Sequence, residues 1–139
     1  MTGNATAAPL LRRAMQADAA VSGASGLLLT LLPGPLSALI GFAEADYLLA
    51  VGIGLIGYAG WLLFSARRPE VNVWAGRTAI ILNMLWVAGS VALLAVDPGL
   101  FNTLGKWLVG IVAVLVADFA LVQYLGLRRV GRPAALPAT

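Results

Sequence analysis

Trp107-Leu-Val-Gly-Ile-Val-Ala-Val-Leu-Val-Ala-Asp118-Phe-Ala-Leu-Val-Gln123-Tyr-Leu-Gly-Leu127 is an apolar run of 21 residues with one acid near its centre. A helix rises about 1.5 Å per residue, so this run is long enough to cross the roughly 30 Å hydrocarbon core of a bilayer. Lys106 and Trp107 mark one end, and Tyr124, Arg128, Arg129 and Arg132 mark the other. Asp118 lies ten residues before Arg128 and twelve after Lys106, about 15 Å and 18 Å from the two ends. A carboxylate at that depth costs several kcal/mol unless it is protonated, paired or hydrated. The rest of the chain then reads as the helices that must cover it.

Composition points the same way. The chain has 139 residues, 60% hydrophobic and 11% charged, with a mean hydropathy of +0.91, whereas a soluble domain carries about 25% charged residues. Four spans with short loops use nearly all of this length, which leaves one domain. The net charge of +3 does not point to nucleic acid, because the basic residues sit at span ends where they set topology. The chain contains no Cys and no His. Thiolate chemistry, disulfides, imidazole-held haem or zinc, and Ser–His or Cys–His nucleophile pairs are therefore excluded. No cofactor and no metal site is expected, and no enzyme.

Before the first span, residues 1–10 read as a flexible lead-in. Arg12-Arg13, an apolar run and Ala43-Glu44-Ala45 together resemble a signal peptide. Gln16 and Asp18 interrupt the start, however, and about thirty residues separate the arginines from that site. The twin arginines also lack the residues of a Tat signal. The reading is an uncleaved first span over about 11–32, stopped by Pro33-Gly34-Pro35. Leu36 to Phe42 is too short to cross and is expected to form a short helix lying at the interface or tucked against the bundle. Further spans are expected at about 47–66, 77–96 and 107–127. Arg67-Arg68-Pro69 closes the second, the Asp97-Pro98-Gly99 turn closes the third, and a flexible tail covers 130–139.

Eight of the nine basic residues (Arg12, Arg13, Arg67, Arg68, Arg77, Arg128, Arg129, Arg132) fall on one side of these spans, and Lys106 with Glu44, Asp46 and Asp97 on the other. The positive-inside rule then places both termini in the cytoplasm. The expected fold is an all-α, integral membrane four-helix bundle in a bacterial cytoplasmic membrane.

Several polar residues fall within the spans. Asp18 is five residues past Arg13, and Ser22 and Ser25 share its helical face. Asn83 lies six residues past Arg77, Gln123 five from Arg128 and Tyr58 nine from Arg67. These groups gather in the cytoplasmic half of the spans, with Asp118 just above them. On span four, Asp118 and Gln123 point about 140° apart, so one neighbour cannot satisfy both. Asp18 is read as an interfacial or first-turn acid near Arg12 and Arg13, and Asn83 and the serines as interhelical hydrogen-bonders. Asp118 is read either as a neutral or hydrogen-bonded packing residue or, since an intramembrane carboxylate is a functional candidate by default, as a group for proton transfer, cation binding or pairing with another subunit's Arg or Lys. Two small-residue stripes, Ala50, Gly54, Gly57 and Gly60 on span two and Gly110, Ala113, Ala117 and Ala120 on span four, are expected to carry helix packing.

The pattern Arg12-Arg13, Asp18-Ala19, Ser22 to Leu29, Leu31 to Gly34, Asn83 to Trp86 and Gln123 to Arg129 resembles small four-span bacterial membrane proteins of unassigned function, and that resemblance implies no activity. The size, with one acid in span one, is also similar to small multidrug-resistance transporters, although their acid lies deeper and their topology is dual. Three functions follow as expectations. The first is a non-catalytic accessory or scaffold subunit, a homo-oligomer or part of a larger membrane complex. The second is a small transporter or proton/cation pathway using Asp118, with Asp18, Asn83 and Tyr58 leading to the cytoplasm. The third is a lipid, quinone or apolar-ligand binder lined by Trp61, Phe64, Trp86 and Phe119.

Overall fold

Five helices follow one another in the computed structural model, which describes residues 8–70, 72–96 and 99–130. They are α1 (Ala8–Leu31), α2 (Pro33–Ile40), α3 (Ala45–Ala66), α4 (Val73–Val96) and α5 (Thr103–Val130), and no strand occurs among the described residues. Helices α3, α4 and α5 are each long and apolar enough to cross a membrane. Helices α1 and α2 together form a fourth candidate, bent by 97° at the break between them. Among the described residues the regular structure is thus entirely helical, with three to four candidate spans of membrane-crossing length and composition.

All four long helices start earlier than their expected spans, and for two of them a cap says why. Asn72 Oδ1 accepts the Trp74 amide at 2.9 Å, satisfying a donor that a helix start leaves free, so α4 begins at Val73 rather than at Arg77. Asn102 Oδ1 accepts the Gly105 amide at 2.8 Å, and α5 begins at Thr103, four residues ahead of Trp107. Helix α1 starts at Ala8, so the last residues of the expected lead-in are helical. Val130, placed in the expected tail, is the last residue of α5. Residues 1–7, Asp97-Pro98 of the expected turn, Arg132 and the rest of the tail lie outside the described residues.

Pro33-Gly34-Pro35 does end α1, but it is also the first turn of the short helix α2. Proline suits that position because its missing N–H is one that a first turn cannot use. Helix α2 stops at Ile40, before the expected Phe42, because Gly41 takes a left-handed φ of 74° and returns its amide to the Ser37 carbonyl. Only glycine adopts that conformation without strain. Asn102 locks this corner: its amide donates to the Ile40 carbonyl at 2.9 Å and its Nδ2 to the Leu39 carbonyl at 2.9 Å. Phe42 stacks on Phe101 beside it, ring centroids 5.4 Å apart.

Helix α1 is the middle of the assembly. It packs along α3 on one side and α5 on the other; α4 packs on α5, while α3 and α4 barely touch. The α1–α3 contact is backbone to backbone. A Cβ on Gly26 would lie 2.8 Å from the Gly52 carbonyl oxygen, and one on Gly52 2.9 Å from the Gly26 carbonyl oxygen. At the other end of α1, a Cβ on Gly126 would lie 2.9 Å from the Leu11 backbone.

The interior is small and polar, and the large side chains point outward. Buried positions include Ala19, Ala59, Ala66, Ala79, Ala113 and Ala120, with Asp18, Asn83 and Gln123 among them, while Leu28, Phe64, Leu85 and Val114 are exposed. Helices in hydrocarbon associate through small residues and interhelical hydrogen bonds, because apolar side chains gain nothing by leaving lipid. Among the described residues, Leu11, Met15 and Leu62 are the large aliphatic members of the buried core cluster, near the arginine-rich end. There Arg12 donates to the Arg68 and Pro69 carbonyls, and guanidinium groups lie over the Phe64, Trp74 and Tyr124 rings.

The two expected small-residue stripes fare differently. Ala50, Gly54, Gly57 and Gly60 are exposed, and a Cβ on any of the three glycines would meet nothing within 4 Å. The contact face of α3 is instead Gly52, Ala59, Leu62 and Ala66. On α5, Ala113 and Ala120 are buried, and Ala117 and Gly110 half-buried.

Candidate functional site

Asp18 is 1% exposed, and every long helix sends a side chain to it. The expectation of an interfacial or first-turn acid is corrected: α1 begins ten residues earlier and turns Asp18 toward α3, α4 and α5. Ser22, one turn on along α1, donates to Oδ1 at 3.0 Å. On Oδ2 converge the Tyr58 hydroxyl from α3 at 3.0 Å, Asn83 Nδ2 from α4 at 2.8 Å and Gln123 Nε2 from α5 at 2.8 Å. Asn83 also donates to Gln123 Oε1 at 3.1 Å, and its Oδ1 lies 3.2 Å from the Tyr58 hydroxyl. Tyrosine has one hydroxyl hydrogen, so Tyr58 serves the carboxylate and Asn83 in turn.

All four partners of the carboxylate are neutral donors, and both oxygens act as acceptors. Neutral hydrogen bonds of this kind compensate a buried carboxylate for the water it has lost. Helix geometry brings them to one level: Asn83 and Gln123 lie six and five residues from Arg77 and Arg128, as Asp18 lies five from Arg13.

Beside this cluster lies a cleft of about 390 Å³. It exists because α3 and α4 barely touch. Ser22, Tyr58 and Asn83 form its polar end. Its walls are Leu55 from α3, Leu82 and Trp86 from α4, and Val112, Leu115 and Val116 from α5; Gly54 leaves space on the α3 side. The site therefore offers an apolar chamber with hydroxyl and amide groups at one end. Of the aromatic residues expected to line such a chamber, only Trp86 does. Trp61 packs on the core beside Tyr58, ring centroids 6.0 Å apart, Phe64 is exposed and Phe119 half-buried away from the cleft lining.

Asp118 is not part of the site. It is exposed on the face of α5 opposite Ala113, Ala120 and Gln123. Of the five expected site residues, the structure brings together Asp18, Tyr58, Asn83 and Gln123 and leaves Asp118 outside. A polar route running from Asp118 through Asp18 to the cytoplasm is therefore not continuous. Sequence reasoning missed Ser22 as a ligand of the acid, although its i+4 spacing from Asp18 was the available signal, and it missed Asn102 as the lock between α2 and α5.

Comparison with known proteins finds no matching family model, no matching curated protein and no matching solved structure.

Proposed function

We propose that this chain is a non-catalytic integral membrane protein of a bacterial cytoplasmic membrane, and that its cleft holds a lipid, quinone or similar apolar molecule with a small polar head. The observation that carries this reading is the cleft itself, with apolar walls and the Ser22, Tyr58 and Asn83 groups at one end. Its volume of about 390 Å³ falls in the range of small-molecule sites, roughly 300–1,000 Å³. Because it opens where α3 and α4 part, a molecule dissolved in the bilayer reaches it sideways. The Ser22 and Tyr58 hydroxyl oxygens can accept from a ligand hydroxyl while their hydrogens stay on Asp18, and a ligand carbonyl draws the Tyr58 hydrogen away from Asp18, which keeps its other three donors.

The membrane placement draws support from the outward-facing large apolar side chains and from Arg12, Arg67, Arg68, Arg77, Arg128 and Arg129 at one end of the helices. By the positive-inside rule that end is cytoplasmic, with four crossings and both termini inside. The test uses decylubiquinone, a quinone soluble enough to titrate, and the fluorescence of Trp86 in detergent-purified protein. Saturable quenching that is lost in Trp86→Phe and in Gly54→Leu supports the reading. Non-saturating quenching, or equal quenching in Gly54→Leu, overturns it.

A second reading, an accessory subunit that associates with itself or a larger complex, is favoured by a separate observation on α5.

A further inference from the structure

The outward face of α5 carries Trp107, Ile111, Val114, Asp118, Leu121 and Leu125, all exposed. Their spacing is 4, 3, 4, 3 and 4 residues, the a/d repeat by which two helices interlock in parallel. Asp118 occupies one position of that seam, with two apolar positions beyond it and three before. Among the described residues no hydrogen bond or ion pair reaches its carboxyl group. The side chain is too short to reach either end of the span, about 15 Å away at the nearer. An acid so placed calls for a polar partner from outside the chain.

We infer that a second copy of this chain docks on α5 and that the two Asp118 carboxyls meet across a two-fold axis. The inference rests on the reading that α5 crosses a bilayer. Two copies inserted with the same orientation run their α5 helices parallel, and a two-fold axis along the membrane normal sets each residue against its own counterpart at the same depth. Asp118 then faces Asp118. Two facing carboxyl groups can hydrogen-bond to each other through a single proton, one oxygen donating and the other accepting. The seam is thus complementary to itself in shape and in hydrogen bonding. This chain has no His, and its Lys and Arg residues lie at the span ends, so a copy in the same orientation has no cation to offer at that depth. A single polar residue in an apolar seam also fixes register. Beside the seam, a groove of about 590 Å³ between α4 and α5, lined by Leu94, Gly110, Ile111 and Val114, leaves room for side chains of the partner helix.

The chain has no cysteine, so single cysteines report contact directly. Val114→Cys, Leu121→Cys and, as a control on α4, Ile81→Cys are reconstituted in phosphatidylethanolamine–phosphatidylglycerol vesicles and oxidised. Cross-linked dimers are expected for the two seam positions and not for the control. Dimer affinity, read by single-molecule photobleaching over a range of lipid dilutions, is expected to fall roughly three- to thirtyfold in Asp118→Leu, the value of an interhelical polar contact. Asp118→Asn, whose carboxamide both donates and accepts, is expected to stay close to wild type. Seam cross-linking no greater than the control, or an unchanged affinity in Asp118→Leu, overturns the inference. So does a monomer in vesicles whose seam cysteines cross-link only to a different protein in native membranes. Resistance of the same vesicles to alkaline extraction is read separately: its loss strikes the membrane reading, while its retention with no seam contact strikes the dimer alone.

Discussion

Gln123 on α5 donates a 2.8 Å hydrogen bond to Asp18 on α1, across 105 residues of chain. Both side chains are buried, at 0% and 1% exposure, and neither helix could satisfy its polar group alone. The same carboxylate draws in Tyr58 and Asn83, so one acid specifies how four helices face one another.

Removing that acid leaves Ser22, Asn83 and Gln123 each with a donor that has lost its acceptor, while the Tyr58 hydroxyl turns to Asn83 Oδ1. Asp18→Leu is expected to destabilise the protein by about 2–5 kcal/mol, since each buried donor left unpaired costs about 1–3 kcal/mol. Gln123→Leu leaves three donors on the carboxylate and is expected to cost about 1–2 kcal/mol. The double variant should lose less than the two single losses added together, because they share a bond. Reversible unfolding in mixed micelles measures all three; strict additivity would show that the cluster does not act as a unit.

Glycine positions on α3 should separate by face. Gly52→Ala puts a Cβ 2.7 Å from Thr30 Oγ1 and 2.9 Å from the Gly26 carbonyl, and overpacking of this kind costs about 1–3 kcal/mol. Gly57→Ala meets open space and gains up to about 1 kcal/mol from helix propensity. Thermal melts of the two variants in one detergent are expected to shift in opposite directions.

Thr30 presents a buried hydroxyl with no hydrogen-bond partner among the described residues. Thr30→Val keeps the shape and removes the unpaired group, and is expected to be neutral or to stabilise by up to about 1 kcal/mol. A loss of more than that would mean the hydroxyl has a partner in the membrane-embedded protein.

Asn102 caps α5 and holds the end of α2 through its side chain. Asn102→Ala is expected to cost about 1–2 kcal/mol, and hydrogen exchange should accelerate first around Leu39 to Phe42 and Thr103 to Lys106. Uniform acceleration throughout the chain would place the cap's effect on global rather than local stability.

Much was legible in the residues alone. The apolar runs, the caps of proline and glycine and the one-sided arginines mark the helices and their ends, because length and hydropathy act locally along the chain. Depth was legible too. Asp18, Asn83 and Gln123 could be placed at one level by counting from the nearest arginine, since the rise per residue is a property of the helix itself. The absence of Cys and His limits the chemistry whatever the fold.

Which way each helix turns was decided only by tertiary packing. Small residues occur on both faces of α3, and nothing local distinguishes Gly52 from Gly54; the approach of Gly26 does. The same holds for the two acids. Asp18, near the end of its span, sits at the centre of the assembly, while Asp118, deep in the longest run, faces outward. Rotation about a helix axis leaves its own hydrogen bonds unchanged, so only the neighbours fix it. One trace of that choice lay in the sequence: a seven-residue recurrence in Gly52–Ala59–Ala66, Gly76–Asn83–Ser90 and Ala113–Ala120, the buried positions of three helices. A seven-residue recurrence keeps a stripe close to one face of a helix, and it becomes readable once the partners are known.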